Sequence, residues 1–284
     1  MIRILSDSTC DLSADLIARH GIAVLPLHVL LGDNEYLDGA NITPDEIYRW
    51  SDENKTTPKT SAISVLEAKE AVKPLLDQGD EVICFTISSK LSGTYQNLVH
   101  AVEELHATDR VRVIDSQNLS TGVGLLVLQA ADMIVQGLSL PEIETRLLAL
   151  VPQVRSSFVV DTLTYLHRGG RCSGLAALAG GALKLHPRIA VSQGSMSAGK
   201  KYRGRMQRVL TEYVADMHDD LLQARNDRVF ITHSGCDEQT IDLVRAQLEA
   251  LGHFRDIHVT RAGSVISSHC GPGTLGVLYI NKDL

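Results

Sequence analysis

The chain has 284 residues, of which 44% are hydrophobic and 21% are charged, a balance typical of globular proteins with one large or two ordinary domains. The formal net charge of −7 argues against nucleic acid as a partner and against an anionic membrane surface, since both attract positive charge. No apolar run approaches the ~20 residues of a membrane span, and residues 1–7 predict a strand rather than a signal peptide. We therefore expect no integral membrane contact.

The cysteines and histidines predict neither disulfides nor a metal site. Five cysteines are scattered along the chain without any Cys-x-x-Cys pair, which is typical of a protein in a reducing compartment. The 11 histidines include no His-Glu-x-x-His sequence and no dense cluster with acidic residues. The pattern indicates a cytoplasmic protein without a bound metal.

The first half of the chain alternates predicted strands and helices. Short apolar runs predict strands at residues 2–5, 22–31, 81–87 and 111–114. Capping signals and periodic apolar residues predict helices that begin near Asp11, Thr43, Ser64, Tyr95, Gly122 and Ser139. Pro26 interrupts the second run and predicts a bent or edge strand there. Residues 52–63 predict a long polar loop, a feature that is usually functional or mobile.

The pattern changes near residue 155, which predicts a boundary between two α/β domains, residues 1–155 and residues 156–284. Beyond the boundary, strands are predicted at 157–160, 189–192, 200–205, 229–232, 257–260 and 275–280. Helices are predicted at 208–225 and 238–251, and the small apolar residues of 174–185 favour tight helix packing. Residues 194–201 nearly spell a P-loop, but Lys201 replaces the Ser or Thr that holds magnesium, so we expect a hairpin turn.

Residues 88–97 form the stretch around which the chain is organised. They follow the predicted strand at 81–87 and lead into a helix and a further strand, so the whole predicts one βαβ unit. Ligands collect beyond the carboxyl ends of strands in such units, and a helix N-terminus there favours an anion. Ser92 and Thr94 supply hydroxyl groups, although either of them is equally explained as the helix cap.

His269 is the one histidine that the sequence singles out. Gly271, Pro272 and Gly273 follow it and predict an unusual backbone, which suggests close approach to a ligand. An ordinary tight turn has the same composition, so residue chemistry alone leaves both interpretations open.

Several motifs, in order from end to end, resemble the DegV family. They are Asp7-Ser8 with Asp11-Leu12, Lys59-Thr-Ser61 with Ser64, Ser-Gly-Thr-Tyr-Gln at 92–96, Tyr165-Leu with Gly-Gly-Arg at 169–171, Arg203-Gly-Arg205, and His269 with Gly-Pro-Gly at 271–273. The resemblance covers nearly the whole chain. The Ser-Gly-Thr-Tyr-Gln and His-x-Gly-Pro-Gly pair is the specific part of it.

The resemblance implies a two-domain α/β fold. The N-terminal domain would be an α/β/α domain with a mainly parallel sheet, the C-terminal domain would also be α/β, and a ligand tunnel would lie at the domain interface. It also implies a carrier for one long-chain fatty acid, with no other cofactor and no chemistry of its own. Family members present the fatty acid to an ATP-dependent fatty acid kinase that makes acyl-phosphate, a role in phospholipid metabolism.

The resemblance also implies the site residues. By matching position, Thr60, Ser92 and His269 hold the carboxylate, with Ser61, Gly93 and Thr94 nearby. Arg171 lies on the surface near the head group, where the kinase docks, and Arg168 adds a second positive charge. Gly169 and Gly170 leave this turn without side chains, so that a partner's backbone can approach.

Three positions depart from the family pattern. Ile63 stands where a proline is usual, residues 186–188 read His-Pro-Arg in place of Lys-Pro and an aliphatic residue, and Cys270 replaces a threonine. The first departure bears on how loop 52–63 closes, and the second bears on the tunnel wall. None removes an expected head-group residue.

A second class of function competes with the carrier. Ser92 as nucleophile and His269 as its base would make an acyl or phosphoryl transferase. Such a dyad needs a carboxylate that orients the histidine, and Asp7 or Asp115 are the candidates. The sequence alone places neither aspartate beside His269.

Overall fold

The computed structural model describes residues 1–173 and 185–282. The strands are β1 (Ile2–Asp7), β2 (Ala23–Leu25), β3 (His28–Leu31), β4 (Asn34–Leu37), β5 (Lys59–Ser61), β6 (Glu81–Thr86), β7 (Val111–Asp115), β8 (Val154–Val159), β9 (Cys172–Ser173), β10 (Leu185–Ser192), β11 (Ser195–Arg203), β12 (Ala224–His233), β13 (Asp256–Arg261) and β14 (Leu275–Asn281). The α-helices are α1 (Ala14–His20), α2 (Pro44–Asn54), α3 (Val65–Asp77), α4 (Thr94–Glu104), α5 (Thr121–Val135), α6 (Leu140–Leu150), α7 (Thr164–Gly169), α8 (Met206–Ala215), α9 (His218–Leu222), α10 (Glu238–Ala250) and α11 (Ser264–Cys270).

A four-stranded parallel sheet forms the centre of the first half of the chain, in the order β2-β1-β6-β7. The predicted βαβ unit is present as β6, α4 and β7. Parallel strands end at the same edge of a sheet, so the loops after β1 and β6 lie side by side. Asp7 at the end of β1 accepts a hydrogen bond from the backbone N–H of Ile87, just beyond β6, at 2.7 Å.

Pro26 divides the predicted strand at residues 22–31 between two sheets. Proline has no N–H to donate to a ladder, so a continuous central strand is excluded at this position. β2, ahead of Pro26, joins the parallel sheet, whereas β3, after it, is the middle strand of a small antiparallel sheet in the order β4-β3-β5. This small sheet brings Lys59–Ser61 into the body of the protein.

A seven-stranded mixed sheet forms the second half, in the order β13-β12-β14-β8-β10-β11-β9. β10 and β11 form the predicted hairpin, whose turn has positive φ at Gln193 and at Gly194. This turn excludes the P-loop. The predicted domain boundary after residue 155 falls inside β8 and stays a prediction. The prediction of tight helix packing for residues 174–185 lies outside the described residues, except for Leu185 in β10.

Helix α5 lies between the two large sheets. Twelve of its fifteen residues are buried, so its apolar surface contacts protein on nearly every side. One hydrophobic cluster joins α5 to Ile4 and Phe85 of the parallel sheet and to Phe230 and Leu278 of the mixed sheet. The two halves of the chain therefore share a core.

Local signals set several helix ends as the sequence predicts. Capping boxes are formed by Thr43 with Glu46 and by Ser64 with Glu67. Gly21 ends α1 with a left-handed backbone conformation, at φ 59°.

Two predictions about the elements are wrong. Residues 52–63 do not form one polar loop, because α2 continues to Asn54 and β5 pairs with β3. Residues 208–225 do not form one long helix. The first helix, α8, ends at Ala215, and a second short helix, α9, begins at His218. Ala224 belongs to β12, where it pairs with Asn281 of β14. In both places strand pairing takes up residues that the local pattern assigns to a loop or to a helix.

Gly276 allows β14 to approach β8, and this contact makes a stability prediction. A Cβ atom at Gly276 would lie 2.8 Å from the carbonyl oxygen of Ser157 and 2.9 Å from Cβ of Phe158. We expect Gly276→Ala to lower the free energy of unfolding by about 1–3 kcal/mol, measured by urea denaturation. Gly199→Ala in β11 is the control, because the nearest atom to its Cβ lies at 3.6 Å, and it should change stability by less than about 0.5 kcal/mol. Equal stability of the two variants would show that β8 can move away.

Candidate functional site

A cavity of about 230 Å³ lies where the loops of the parallel sheet meet α7, β11 and α11. Its polar side chains are Thr60, Ser61, Ser92, Arg171 and His269. Most of the remaining wall is apolar and includes Leu27, Ile87, Leu91, Leu119, Val265 and Ile266. Residues from both halves of the chain therefore line one space.

A hydrogen bond between Thr60 and His269 joins the two halves at the cavity wall. Thr60 Oγ1 and His269 Nε2 are 2.8 Å apart, although the residues are 209 positions apart in sequence. The pairing of β5 with β3 positions Thr60, and α11 carries His269. This bond brings together two of the three residues that are expected to hold the carboxylate.

The electrostatic surroundings keep the ring of His269 neutral. Burial, together with a smaller effect of the positive charge of Arg171, lowers the pKa of His269 from 6.5 to about 4. The other ring nitrogen, Nδ1, is shielded from solvent and has no hydrogen-bond partner among the described residues. Above pH 5 the ring therefore has one N–H donor and one acceptor nitrogen.

Ser92 faces the same cavity from the N-terminus of α4. Its hydroxyl lies 3.0 Å from Oγ1 of Thr94 and accepts a hydrogen bond from the Thr94 backbone N–H at 3.3 Å. Gly93 occupies the cap position, so neither Ser92 nor Thr94 is the N-cap residue itself, although the Ser92 hydroxyl accepts from the first N–H of the helix. Thr94 is buried behind Ser92 and does not line the cavity.

The two polar loops are tied to each other. The side-chain amide of Asn97 in α4 donates a hydrogen bond to the carbonyl oxygen of Ile63 at 2.7 Å. Ser61 and Ala62, which precede Ile63, line the cavity together with Gly93. The bond fixes the distance between the Thr60 loop and the Ser92 loop.

Two glycines allow α7 to pack closely against α11 and the residue that follows it. A Cβ atom at Gly169 would lie 2.4 Å from Nδ1 of His269, and one at Gly271 would lie 2.6 Å from Cδ2 of Tyr165. Gly271 also has a positive φ of 74°. The sequence interpretation assigned Gly169 to the approach of a partner, but the structure packs it against the histidine ring.

The two predicted docking arginines differ in position. Arg171 is exposed, lines the cavity, and donates a hydrogen bond to the carbonyl oxygen of Gly169 at 2.8 Å. Arg168 is exposed on α7 and does not line the cavity. Arg171 therefore lies at the edge of the cavity, and Arg168 lies outside it.

The hydrogen bonds of a Ser–His–Asp triad are not present in the described residues. His269 pairs with Thr60 rather than with Ser92. Asp7 accepts from Thr9 and Ile87, and Asp115 accepts from Ser89 and Gln117. Neither aspartate orients the histidine, so the structure gives no support for Ser92 as an activated nucleophile.

A smaller cavity of about 30 Å³ continues the first one between the sheets. Leu119, Ile266 and Cys270 line both spaces, and Phe158 and Leu278 lie on the far side. Thr60, Ser92 and His269 line only the first cavity, and the second has polar residues of its own, including Thr232 and Ser234.

The departures from the family pattern have defined positions. Ile63 is fully buried in the core beneath the Thr60 loop. Pro187 lies where the register between β10 and β11 shifts, and His186 is buried with Nδ1 3.1 Å from the carbonyl oxygen of Val160. Cys270 is buried, and burial raises the pKa of its thiol to about 12, which keeps the thiol protonated.

Sequence reasoning missed most of the apolar wall. Leu91, Ala62 and Cys270 are direct neighbours of predicted site residues, so adjacency could have found them. Leu119, Met196 and Ile266 carry no signal that separates them from ordinary core residues.

Within residues 1–173 and 185–282, no group of three or more His, Cys, Asp or Glu side chains is arranged to hold a metal ion. In the same part of the chain, no helix combines the length and the apolar character needed to cross a membrane.

Comparison with known proteins places this geometry in a family. A family model matches residues 1–282, and its description is 'uncharacterised protein, DegV family'. A DegV domain-containing protein of Clostridium perfringens is 38% identical over 281 residues, covering 99% of each chain. A DegV family protein from Thermus thermophilus, whose structure was described for its fatty acid binding, superposes with a TM-score of 0.91 at 34% identity and covers 99% of each chain.

A second solved structure agrees with the first. A stearic acid-binding protein from Eubacterium ventriosum superposes with a TM-score of 0.86 at 30% identity and again covers 99% of each chain. Sequence and fold match over nearly the whole chain, and the α/β fold with a parallel sheet in its first half is as predicted. The chain therefore belongs to the DegV family.

Proposed function

We propose that this protein binds a long-chain fatty acid in the cavity and presents its carboxylate to an ATP-dependent fatty acid kinase. The observation that carries the proposal is the Thr60–His269 pair, which shares with Ser92 a cavity whose remaining wall is mostly apolar. The fatty acid binding of the Thermus thermophilus and Eubacterium ventriosum proteins supports the class of ligand.

The polar end suits a carboxylate. Hydroxyls of Thr60 and Ser92 and one N–H of His269 are donors, and each hydrogen bond to a charged partner contributes about 1.5–3 kcal/mol. These groups bond to one another or to Thr94, so a carboxylate would exchange one set of bonds for another. The net gain at this end is therefore modest, and its main effect is to orient the ligand.

The apolar end supplies most of the affinity. An acyl tail of some fifteen methylenes is worth roughly 12 kcal/mol at ~0.8 kcal/mol each, before ordering costs. The tail would pass Leu119 and Ile266, which line both cavities, toward Phe158 and Leu278. The sequence contains no other motif that calls for a cofactor, so the lipid is the expected ligand.

The kinase partner is proposed from the family resemblance and from charge. Arg171, at the edge of the cavity, presents a positive charge beside the head group, and Arg168, exposed on α7 outside the cavity, adds a second positive charge to the same surface. A kinase handles triphosphate and a developing acyl-phosphate, both anionic, and arginine suits bidentate contact with such oxygens. Because ATP-dependent acyl activation takes place inside the cell, the carrier would act in the cytoplasm.

A carrier explains the site better than an enzyme does. A nucleophilic serine needs a base within hydrogen-bond reach, but the nearest bonds of Ser92 are to Thr94. The alternative of an acyl or phosphoryl transferase has no supporting contact, so we do not propose it.

The head group gives the direct test of binding. We expect the wild-type protein to bind one fatty acid and Ser92→Ala to weaken binding roughly fivefold, because one hydrogen bond to the carboxylate is lost. Adding His269→Ala should weaken binding further, and a fatty alcohol of the same length should be affected less. Titration of delipidated protein with each ligand gives the affinities, with circular dichroism as the check on folding.

Ser89→Ala is the matched control for this series. Ser89 lies in the same loop, but its hydroxyl donates to Asp115 at 2.5 Å and it does not line the cavity. It should bind as the wild type does. Unchanged affinity in all the variants would mean that the carboxylate is held elsewhere, and no binding by the wild type would overturn the proposal.

The low pKa of His269 predicts a dependence of stability on pH. Since the folded pKa of about 4 lies below the ordinary value of 6.5, the unfolded chain takes up the proton first. The stability contribution is complete above pH 6.5 and is lost as the pH falls toward 4. Between pH 7 and pH 5 the lipid-free wild type should lose about 2 kcal/mol relative to His269→Gln, measured by urea unfolding.

The buried aspartates do not obscure this comparison. Burial raises the pKa of Asp7 to about 6, which works in the opposite direction, but this effect is the same in both proteins. An equal loss for wild type and His269→Gln would contradict a neutral, buried imidazole.

Arg171 provides the test of presentation to the kinase. We expect Arg171→Ala to bind fatty acid nearly as the wild type does, but to lower acyl-phosphate formation by a cognate kinase at least tenfold, or about 1.4 kcal/mol in the transition state. The assay measures ATP-dependent acyl-phosphate at saturating lipid beside a direct lipid titration. Arg19→Ala, exposed on α1 and outside the cavity, is the control.

Two results would change this assignment. Turnover equal to wild type would remove Arg171 from the docking surface. A loss of lipid binding as large as the loss of turnover would place Arg171 in the ligand site, which its position in the cavity wall makes a real alternative.

A further inference from the structure

Two buried aspartates hold the N-terminus of α11, the helix that carries His269. Asp11 Oδ1 accepts a hydrogen bond from the backbone N–H of Gly263 at 2.8 Å, and Asp38 Oδ1 accepts one from the N–H of Ser264 at 2.6 Å. Both aspartates belong to the first 38 residues, whereas α11 lies near the end of the chain. These bonds therefore attach the helix to the loops of the other half of the protein.

The second oxygen of each carboxylate bonds to a different segment. Asp11 Oδ2 accepts from the hydroxyl of Ser120 at 2.5 Å, next to Leu119 in the cavity wall. Asp38 Oδ2 accepts from the hydroxyl of Ser8 at 2.8 Å, and Ser8 accepts from the backbone N–H of Leu27, another wall residue, at 3.1 Å. Each aspartate thus joins α11 to a further part of the cavity wall.

A carboxylate is the side chain that this arrangement requires. Ionised Asp accepts with both oxygens, whereas Asn and protonated Asp each replace one acceptor with a donor. Asp11 is only 6% exposed and Asp38 only 3% exposed, so burying their charge is costly unless both oxygens are bonded. Burial is the largest cause and raises the pKa of both groups, that of Asp11 well above its usual value, while the N–H and O–H donors offset part of the rise.

The contact at the helix end is tight. A Cβ atom at Gly263 would lie 3.1 Å from Oδ1 of Asp11 and 3.1 Å from Oδ1 of Asp38. The carboxylates therefore meet at the same residue, and either one limits the movement of the helix end. From Ser264 to His269 the helix rises only about 7.5 Å at 1.5 Å per residue, so a shift at its start reaches the imidazole.

We propose that Asp11 and Asp38 are positioning residues for the head-group site. By fixing the start of α11 they hold His269 against Thr60, and so prepare the polar end of the cavity for a carboxylate. They make no contact with the ligand themselves, since neither lines the cavity. This inference rests on the proposed function, because it concerns the same carboxylate.

The test compares a fatty acid with the fatty alcohol of the same length. Asp38→Asn should lower affinity for the acid roughly fivefold and affinity for the alcohol less than roughly twofold, because only the acid depends fully on the position of His269. Asp11→Asn should behave in the same way. The ring ¹⁵N chemical shifts of His269, measured by NMR without lipid, should move in both variants.

A double-mutant cycle separates positioning from a general structural effect. In a His269→Ala background, Asp38→Asn should change affinity for the acid less than roughly twofold, since the group that it positions is gone. Asp80→Asn is the matched control. Asp80 is only 4% exposed and bonds to Arg3 and to the N-terminal amino group, away from the cavity, so its loss should lower stability without changing the preference for acid over alcohol.

Three results would overturn the inference. One is an unchanged preference for the acid in Asp38→Asn and Asp11→Asn, and another is a fivefold loss that persists in the His269→Ala background. The third, a wild-type protein that shows no preference for the acid, contradicts the proposed head-group site itself and this inference with it. If Asp38→Asn does not fold, Ser8→Ala removes one of the two bonds to Asp38 and should show the same selective loss, to a smaller degree.

Discussion

The burial of α5 is the constraint on which the rest of the structure depends. A helix with buried residues on nearly every side needs partners on all of them, and a single sheet covers only one. The parallel sheet covers one side through Ile4 and Phe85, and the mixed sheet covers another through Phe230 and Leu278. The two sheets are consequently held together around α5, and the cavity forms beside its first turn, where Leu119 and Ser120 precede the helix.

The cavity wall places hydroxyl and imidazole groups next to apolar side chains. Buried hydroxyl and imidazole groups are costly unless they are hydrogen-bonded, and here Thr60 bonds with His269 and Ser92 with Thr94. Among the described polar atoms at this end of the cavity, only Nδ1 of His269 is buried without a hydrogen-bond partner. A site that is satisfied internally can stay stable without ligand and still offer donors to a carboxylate.

Burial shifts the pKa values of the histidine and of the aspartates around the site in opposite directions. Burial lowers the pKa of His269 and raises those of Asp7, Asp11 and Asp38, because in each case it disfavours the charged form. The aspartates offset the cost by accepting backbone and hydroxyl donors from segments distant in sequence. Their hydrogen bonds connect loops that contain residues of the cavity wall. The position of the polar side chains in the cavity therefore depends on how the two halves of the chain pack.

Local chemistry in the sequence determined the helix starts at Thr43 and Ser64, the end of α1 at Gly21, and the βαβ unit around residues 88–97, because caps and periodic apolar runs act over a few residues. Resemblance to the family picked out Thr60, Ser92 and His269. Only the tertiary structure decided that Lys59–Ser61 is a strand, since three polar residues become β5 by pairing with β3. The tertiary structure likewise decided that Asp11 and Asp38 meet at Gly263 and that Leu119 and Ile266 share a wall, because contacts across more than a hundred residues leave no local pattern.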